Sequence, residues 1–214
     1  MKGLLKNNLL AVYTNAKVFF VFMLLLGAFA VAVISQSLLI GYVMIGMLGF
    51  SYNAAAVVKN EFATKWGKYK LTLPVKRADI VKSLFLNHIV WILAGTFFSI
   101  IVVGLSLAVH GSSFDQPIDI LSLFALGMSM SLFMGAVFFP LFYLGGEERS
   151  EVFQIISILV AFCLDFAIIS AVNNLLAPGI TAIVLGAVIL LASSGLAFGL
   201  SYLLTAQIFR QKEY

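Results

Sequence analysis

The chain has 214 residues, of which 62% are hydrophobic and 10% charged, with a mean hydropathy of +1.09 and a formal net charge of +4. Ordinary globular compositions are about half apolar, so this one excludes a soluble domain of this length and points to a single membrane domain over 1–214. Its one cysteine, Cys163, lies inside an apolar run and excludes a disulfide framework or a CxxC metal site within one chain.

A helix that crosses the hydrocarbon core takes about 20 apolar residues. Six segments qualify, approximately 18–36, 38–58, 84–109, 120–144, 153–173 and 180–206. The expected fold is all-α with six transmembrane helices, because backbone groups cannot stay unpaired in lipid. A barrel is not expected, since the runs are continuously apolar and do not alternate with period two.

Residues 1–17 precede the first span. Leu5, Leu9, Val12 and Ala16 share a face at i, i+4, i+7 and i+11, with Lys6, Tyr13 and Lys17 at its polar edge. This spacing predicts an amphipathic helix in the headgroup plane. The alternative is an extension of span one with snorkelling lysines. Ala30-Val31-Ala32 mimics a cleavage site, but the hydrophobicity continues straight through it, so no cleavable signal peptide is expected.

Short connectors separate the later spans. Ser35-Gln36-Ser37 reads as a tight turn, and residues 59–83 form the long polar loop. Gly111 to Asp119 carries turn residues and Pro117, and Gly145 to Val152 is a short charged loop. Asn173 to Gly179 separates the last two spans, although the cluster of Asp165, Asn173, Asn174 and Pro178 also allows a broken helix within 164–182. Pro140 is expected to kink span four near its end.

All 13 lysines and arginines lie before span one, between spans two and three, between four and five, or after span six. The opposite connectors have none, and one carries Asp115 and Asp119. The positive-inside rule then expects both termini and both charged loops in the cytoplasm. The basic excess reads as a membrane-orientation signal with attraction to anionic lipid, worth about 1 kcal/mol per well-placed basic residue. It does not read as a nucleic-acid signal.

The loop 59–83 is the most informative stretch. Phe62, Trp66 and Tyr69 recur at i, i+4 and i+7, so a helix there presents an aromatic stripe. Pro74 ends that pattern and suits a first helical position. Two readings stand side by side: interfacial anchoring by Trp, Tyr and Lys, and a docking element for a cytoplasmic partner, since aromatic and arginine side chains anchor interfaces.

Asn60-Glu61, Trp66, Tyr69, Leu71-Thr72-Leu73-Pro74, Arg77 and Ile80-Val81 resemble the DE…W..Y..TLP..R..IV signature of bacterial ABC-2-type transporter permeases. The N-terminal elbow helix, six spans and polar loop between spans two and three fit that family along the whole chain. The chain is similar to the small permeases of amphipathic-peptide exporters, such as those of phenol-soluble modulins. In the second loop Pro140, Tyr143, Gly146, Glu148 and Arg149 match, but Leu144 and Glu151 stand where a basic residue is common.

The resemblance implies a transmembrane subunit of an ATP-binding-cassette exporter in the bacterial cell membrane. The 59–83 loop would be its coupling helix, with Glu61, Phe62, Trp66, Tyr69, Leu73, Pro74 and Arg77 facing a cytoplasmic ATPase, joined by Glu148 and Arg149. It further implies a second permease subunit, identical or related, and ATP with Mg on the ATPase, leaving this chain no enzyme and without a cofactor of its own. Larger superfamily members carry re-entrant helices between the last two spans, where this chain has about seven residues, counting roughly 20 for each span.

The residues themselves agree. No GxxxxGK[ST], HExxH or GxSxG motif and no Cys/His ligand cluster occurs. His88 and His110 sit at opposite ends of span three, too far apart to share a metal, and read as interface residues. Spans almost free of charge suit hydrophobic or amphipathic cargo, such as toxin or antimicrobial peptides. Asp165 is the acidic residue well inside an apolar run, with no Lys or Arg in any span to pair with it. Such a group costs about 3 kcal/mol in hydrocarbon and should face the bundle, a cavity or a partner. It is either a hydrogen-bonded aspartate at a helix interface or a polar point on a substrate route.

Small residues mark packing faces: Gly46 and Gly49, then Gly127, Ser131 and Gly135, then Gly195 and Gly199. These are expected to pack within the chain. Two other functional classes remain: a non-transport scaffold or sensor partner, and an ion-coupled secondary carrier. A carrier would show several intramembrane ionisable residues or broken helices in related halves.

Overall fold

The structure is a computed structural model that describes residues 2–33, 35–63, 77–111, 114, 116–177 and 179–211. Among these residues there are helices and turns but no strand. The helices are α1 (Lys2–Asn15), α2 (Lys17–Ala32), α3 (Gln36–Ala63), α4 (Arg77–His110), α5 (Pro117–Gly145), α6 (Ser150–Leu175) and α7 (Ile180–Gln211), with a 3-10 turn at Glu147–Arg149. Five of them, α3 to α7, are long and apolar enough to cross a membrane. A sixth span results if α1 and α2, bent by 60°, count as one.

The expected first span at 18–36 is therefore shorter than the sequence suggests. Its helix holds 16 residues, about 24 Å at 1.5 Å per residue, against a hydrocarbon core of about 30 Å. Val33 adopts an extended conformation and ends α2. Ser35 then opens α3: its Oγ accepts the Leu38 N–H at 3.4 Å and its carbonyl accepts the Leu39 N–H at 3.2 Å. Serine is a favoured N-cap, and Gln36, expected in the turn, is already helical.

Other helices outrun their expected spans. α3 continues to Ala63 and α4 begins at Arg77, which leaves 64–76 between them. The added residues include Lys, Glu and Ala, good helix formers that let a helix continue past the apolar stretch. α5 opens at Pro117, where the Gln116 N–H donates to Asp119 Oδ2 at 3.1 Å, and it stays helical through Pro140. α6 runs through Asp165 and Asn173 to Leu175, so 164–175 holds no broken helix.

α5 is the centre of the bundle, packing against α3, α4, α6 and most extensively α7. One core gathers Leu4, Val58, Ile80, Tyr143 and Phe209. The start of α1, the end of α3, the start of α4 and the ends of α5 and α7 therefore meet at one end of the molecule, called here the basic end. A second core holds Val12, Met23, Tyr42, Phe50 and Leu123 with Trp91. There Phe50 stacks on Trp91 at 5.8 Å, and Phe20 meets both edge-on. Large apolar residues such as Leu25, Phe166 and Leu196 lie on the outer faces, as a lipid environment requires.

Glycines decide how closely the helices approach. A Cβ on Gly95 would stand 2.9 Å from the Gly46 carbonyl oxygen and 3.0 Å from Met47 Cα, so α3 and α4 touch backbone to backbone. The same construction at Gly127 would strike Met47. Gly195 and Gly199 behave differently: both are exposed and nothing lies within 4 Å of a Cβ there. The expectation that they pack within the chain is wrong, because their face of α7 turns away from α5 and α6.

α1 lies against α3 and α4. Its buried stripe is Leu4, Asn8, Val12 and Ala16, with Leu5 and Leu9 only half-buried. Lys6, Tyr13 and Lys17 are exposed as the periodicity implies. The stripe takes in polar Asn8 because its Nδ2 donates to Ser83 Oγ at 3.1 Å. At the opposite end, His110 Nε2 donates to the Val31 carbonyl at 2.6 Å and ties α4 to the end of α2.

Candidate functional site

Of the residues expected to couple, Glu148 and Arg149 are described in full. Trp66, Tyr69, Leu73 and Pro74 lie outside the described residues. Glu61 and Phe62 sit in the last turn of α3 and Arg77 opens α4, but their side chains also lie outside the described residues. Glu148 and Arg149 occupy the 3-10 turn and are exposed. Gly146 precedes that turn with φ +82°, a conformation that glycine adopts without steric penalty.

The structure brings the two loop bases together. Lys59, near the end of α3, donates to Glu151 Oε1 at 2.5 Å, and the 3-10 turn itself touches α3. Both side chains reach solvent, so the pair fixes geometry more than it adds stability. Glu151 lies ahead of the apolar stretch 153–173, and its hydrogen bond from Lys59 and that ammonium's charge hold the carboxyl below its usual range. Sequence reading met Glu151 only as a departure from a family pattern; an ion pair across 92 residues leaves no local signal. Ser83 completes the arrangement. It accepts from Asn8 and donates to the Ile80 carbonyl at 2.7 Å, which fastens α1 to the first turns of α4.

Asp165 lies elsewhere, in the middle of α6. It is 2% exposed and points into the bundle, where Ser129 Oγ of α5 donates to Oδ1 at 3.0 Å. Oδ2 has no hydrogen-bonding partner among the described residues. The Leu126 carbonyl, 2.9 Å away, competes for the single Ser129 proton. One helical turn from this pair is the floor of a cleft of about 430 Å³ between α3, α5, α6 and α7, lined by Phe114, Asp119, Ser122, Leu126, Ile169 and Asn173 among others. The cleft is at the end opposite the basic one.

His88 does not sit at an interface level. It is fully buried among α4, α5 and α7, stacked on Phe198 at 5.6 Å. Its Nε2 lies 3.1 Å from the Ser131 carbonyl, which can only accept, so the ring proton is on Nε2. Among the described residues no group of three His, Cys, Asp or Glu could hold a metal.

This is a multi-pass helical membrane protein with its loop bases clasped at one end and a polar centre inside one chain. No curated protein and no solved structure matches it. A family model described as ABC-2 family transporter protein matches residues 3–210. With nearly the whole length covered, the chain belongs to the ABC-2 transporter family.

Proposed function

We propose that the chain is the transmembrane subunit of an ATP-driven exporter for hydrophobic or amphipathic cargo, peptides included. Membrane proteins of this family work with ATPase subunits. ATP and Mg are held by that separate cytoplasmic partner, and this chain is not itself an enzyme. A second permease subunit, identical or related, completes the assembly. Both termini and the basic end face the cytoplasm of a bacterial cell, in line with the sorting of every Lys and Arg.

One observation carries the reading. The Lys59–Glu151 pair sets the bases of both charged loops side by side. A partner gripping the 59–83 loop through Glu61, Phe62, Trp66, Tyr69, Leu73, Pro74 and Arg77 also meets Glu148 and Arg149. Motion of the ATPases then pulls on α3, α4, α5 and α6 at once. α1, bonded to Ser83, serves as the elbow that moves with them. Asp165 faces inward, so it serves the cargo route from within the subunit, through the cleft.

The test co-expresses the tagged chain with an ATP-binding-cassette protein from a neighbouring reading frame, and measures capture and ATP hydrolysis in nanodiscs. Alanine at Trp66, Tyr69 and Arg77 together is expected to abolish capture while the chain stays monodisperse. Capture that survives the triple replacement removes the docking role from this loop.

A further inference from the structure

We propose that Asp165, Ser129 and Ser194 form a mid-bundle receptor for one primary ammonium group, with the neighbouring cleft taking the apolar body of the same molecule. The ligand class is an amphiphilic amine. The inference deepens the transport reading above and names what the inner site would recognise.

The first support is an unmet valence. Asp165 Oδ2 is buried and has no hydrogen-bonding partner among the described residues, while Oδ1 is held by Ser129. A buried carboxyl group half-satisfied in this way is costly until a donor or a cation reaches it. The apolar spans offer no cation, because they contain no lysine or arginine.

The second support is register. α5 and α7 both run toward the basic end, and Ser201 Oγ donates to the Ala136 carbonyl at 2.7 Å across an offset of 65 residues. The same offset applied to Ser129 arrives at Ser194. Both serines are fully buried, and Ser194 follows by one turn Leu190, which lines the cleft. Ser194 Oγ donates to the Leu191 carbonyl at 3.2 Å and Ser129 Oγ to Asp165, so each keeps lone pairs for an incoming donor. An ammonium group has three N–H donors. Oδ2 and two serine oxygens match that number.

The third support is the approach. Leu126 and Ile169 on the cleft floor precede or follow Ser129 and Asp165 by one turn. The walls are mainly apolar, and Asp119 and Asn173 line the cleft as well. An alkyl chain fits the walls and a positive head is drawn to the carboxylates. A polar solute without an apolar body would leave those walls unfilled, and a neutral amphiphile would bring Oδ2 a hydrogen bond but no charge.

The experiment uses the full chain in phosphatidylcholine nanodiscs, with empty nanodiscs as the blank, and measures equilibrium binding of octylamine and of octanol. Octylamine is expected to bind about tenfold tighter or more, as a charge-assisted hydrogen bond implies. Asp165→Asn should erase that preference and leave octanol binding in place. Ser194→Ala, a milder change, should weaken octylamine binding about threefold, the loss of one hydrogen bond. Equal binding of the two probes to the unmodified chain overturns the proposal, whatever the folding of the variants. So does an undiminished preference in Asp165→Asn. Because no ATPase is present, such a failure leaves the permease reading standing. Lost ATPase capture with amine preference intact would do the reverse.

Discussion

Gly135 and His88 share one space: a Cβ on Gly135 would stand 2.5 Å from the His88 Nε2 and 2.9 Å from the Phe198 ring. The imidazole is locked there by the Ser131 carbonyl and by aromatic faces on two sides. Gly135→Ala is therefore expected to lower stability by about 1–3 kcal/mol, the usual range for overpacking a core. Thermal unfolding of the purified chain measures it. His88→Ala in the same chain should recover part of the loss, a coupling that contact residues show.

Gly95 and Gly199 should part company in the same assay. A methyl at Gly95 meets the backbone of Gly46 and Met47, which has no rotamer to yield. Gly95→Ala should fail to give a folded chain or lower the melting temperature sharply. Gly199 opens on free space, and Gly199→Ala should stay within about 0.5 kcal/mol of the unmodified chain. Equal penalties at the two sites would contradict the helix approach described here.

Asn8→Ala removes the side-chain bond from α1 to Ser83. The loss should be about 1 kcal/mol, and it should appear locally before it appears globally. Limited proteolysis is expected to cut α1 faster in this variant while the melting temperature of the bundle moves little. Unchanged cleavage would mean that the apolar stripe alone holds the helix.

The Lys59–Glu151 pair gives a titration test. The folded-state carboxyl of Glu151 is held low by Lys59. Its contribution is therefore present above the unfolded pKa and lost as pH falls through the lowered folded value. Lys59→Met should return the Glu151 titration, followed by carbon NMR of the labelled carboxyl, to the ordinary carboxylate range. Raised salt should do part of the same, since exposed charges are screened. No change in melting temperature is expected, because exposed pairs add little.

Much of the fold was legible because spanning helices obey a length rule and leave long apolar runs. Ser131 and Gly135 marked the packed face of α5, whereas Pro117 and Asp119, read as connector residues, are already in its first turn. The sequence pattern could not name partners. The cost of a carboxylate in hydrocarbon said that Asp165 should face the bundle, a cavity or a partner, yet Ser129 is placed opposite it by the register of two helices, which no local pattern encodes. Gly195 and Gly199 carry the same spacing as a packing motif whether their face turns inward or outward. The stripe of α1 slipped by one position because Asn8 looks polar until Ser83 is brought beside it. His88 read as an interface residue for the same reason: its carbonyl partner is on another helix.

The 16 residues of α2 have a consequence for the surrounding lipid. A rigid cylinder several ångströms shorter than the hydrocarbon layer must be met by compressed acyl chains or by a headgroup drawn inward, each costing a fraction of a kcal/mol per ångström of mismatch. The outward side of α2 is lined by Val18, Leu24, Leu25 and Phe29, so the dimple forms along a greasy wall rather than a polar one. A bilayer matched to this wall would be thinner there than beside the longer helices, and an amphiphile lying in the headgroup layer would have less distance to travel across it.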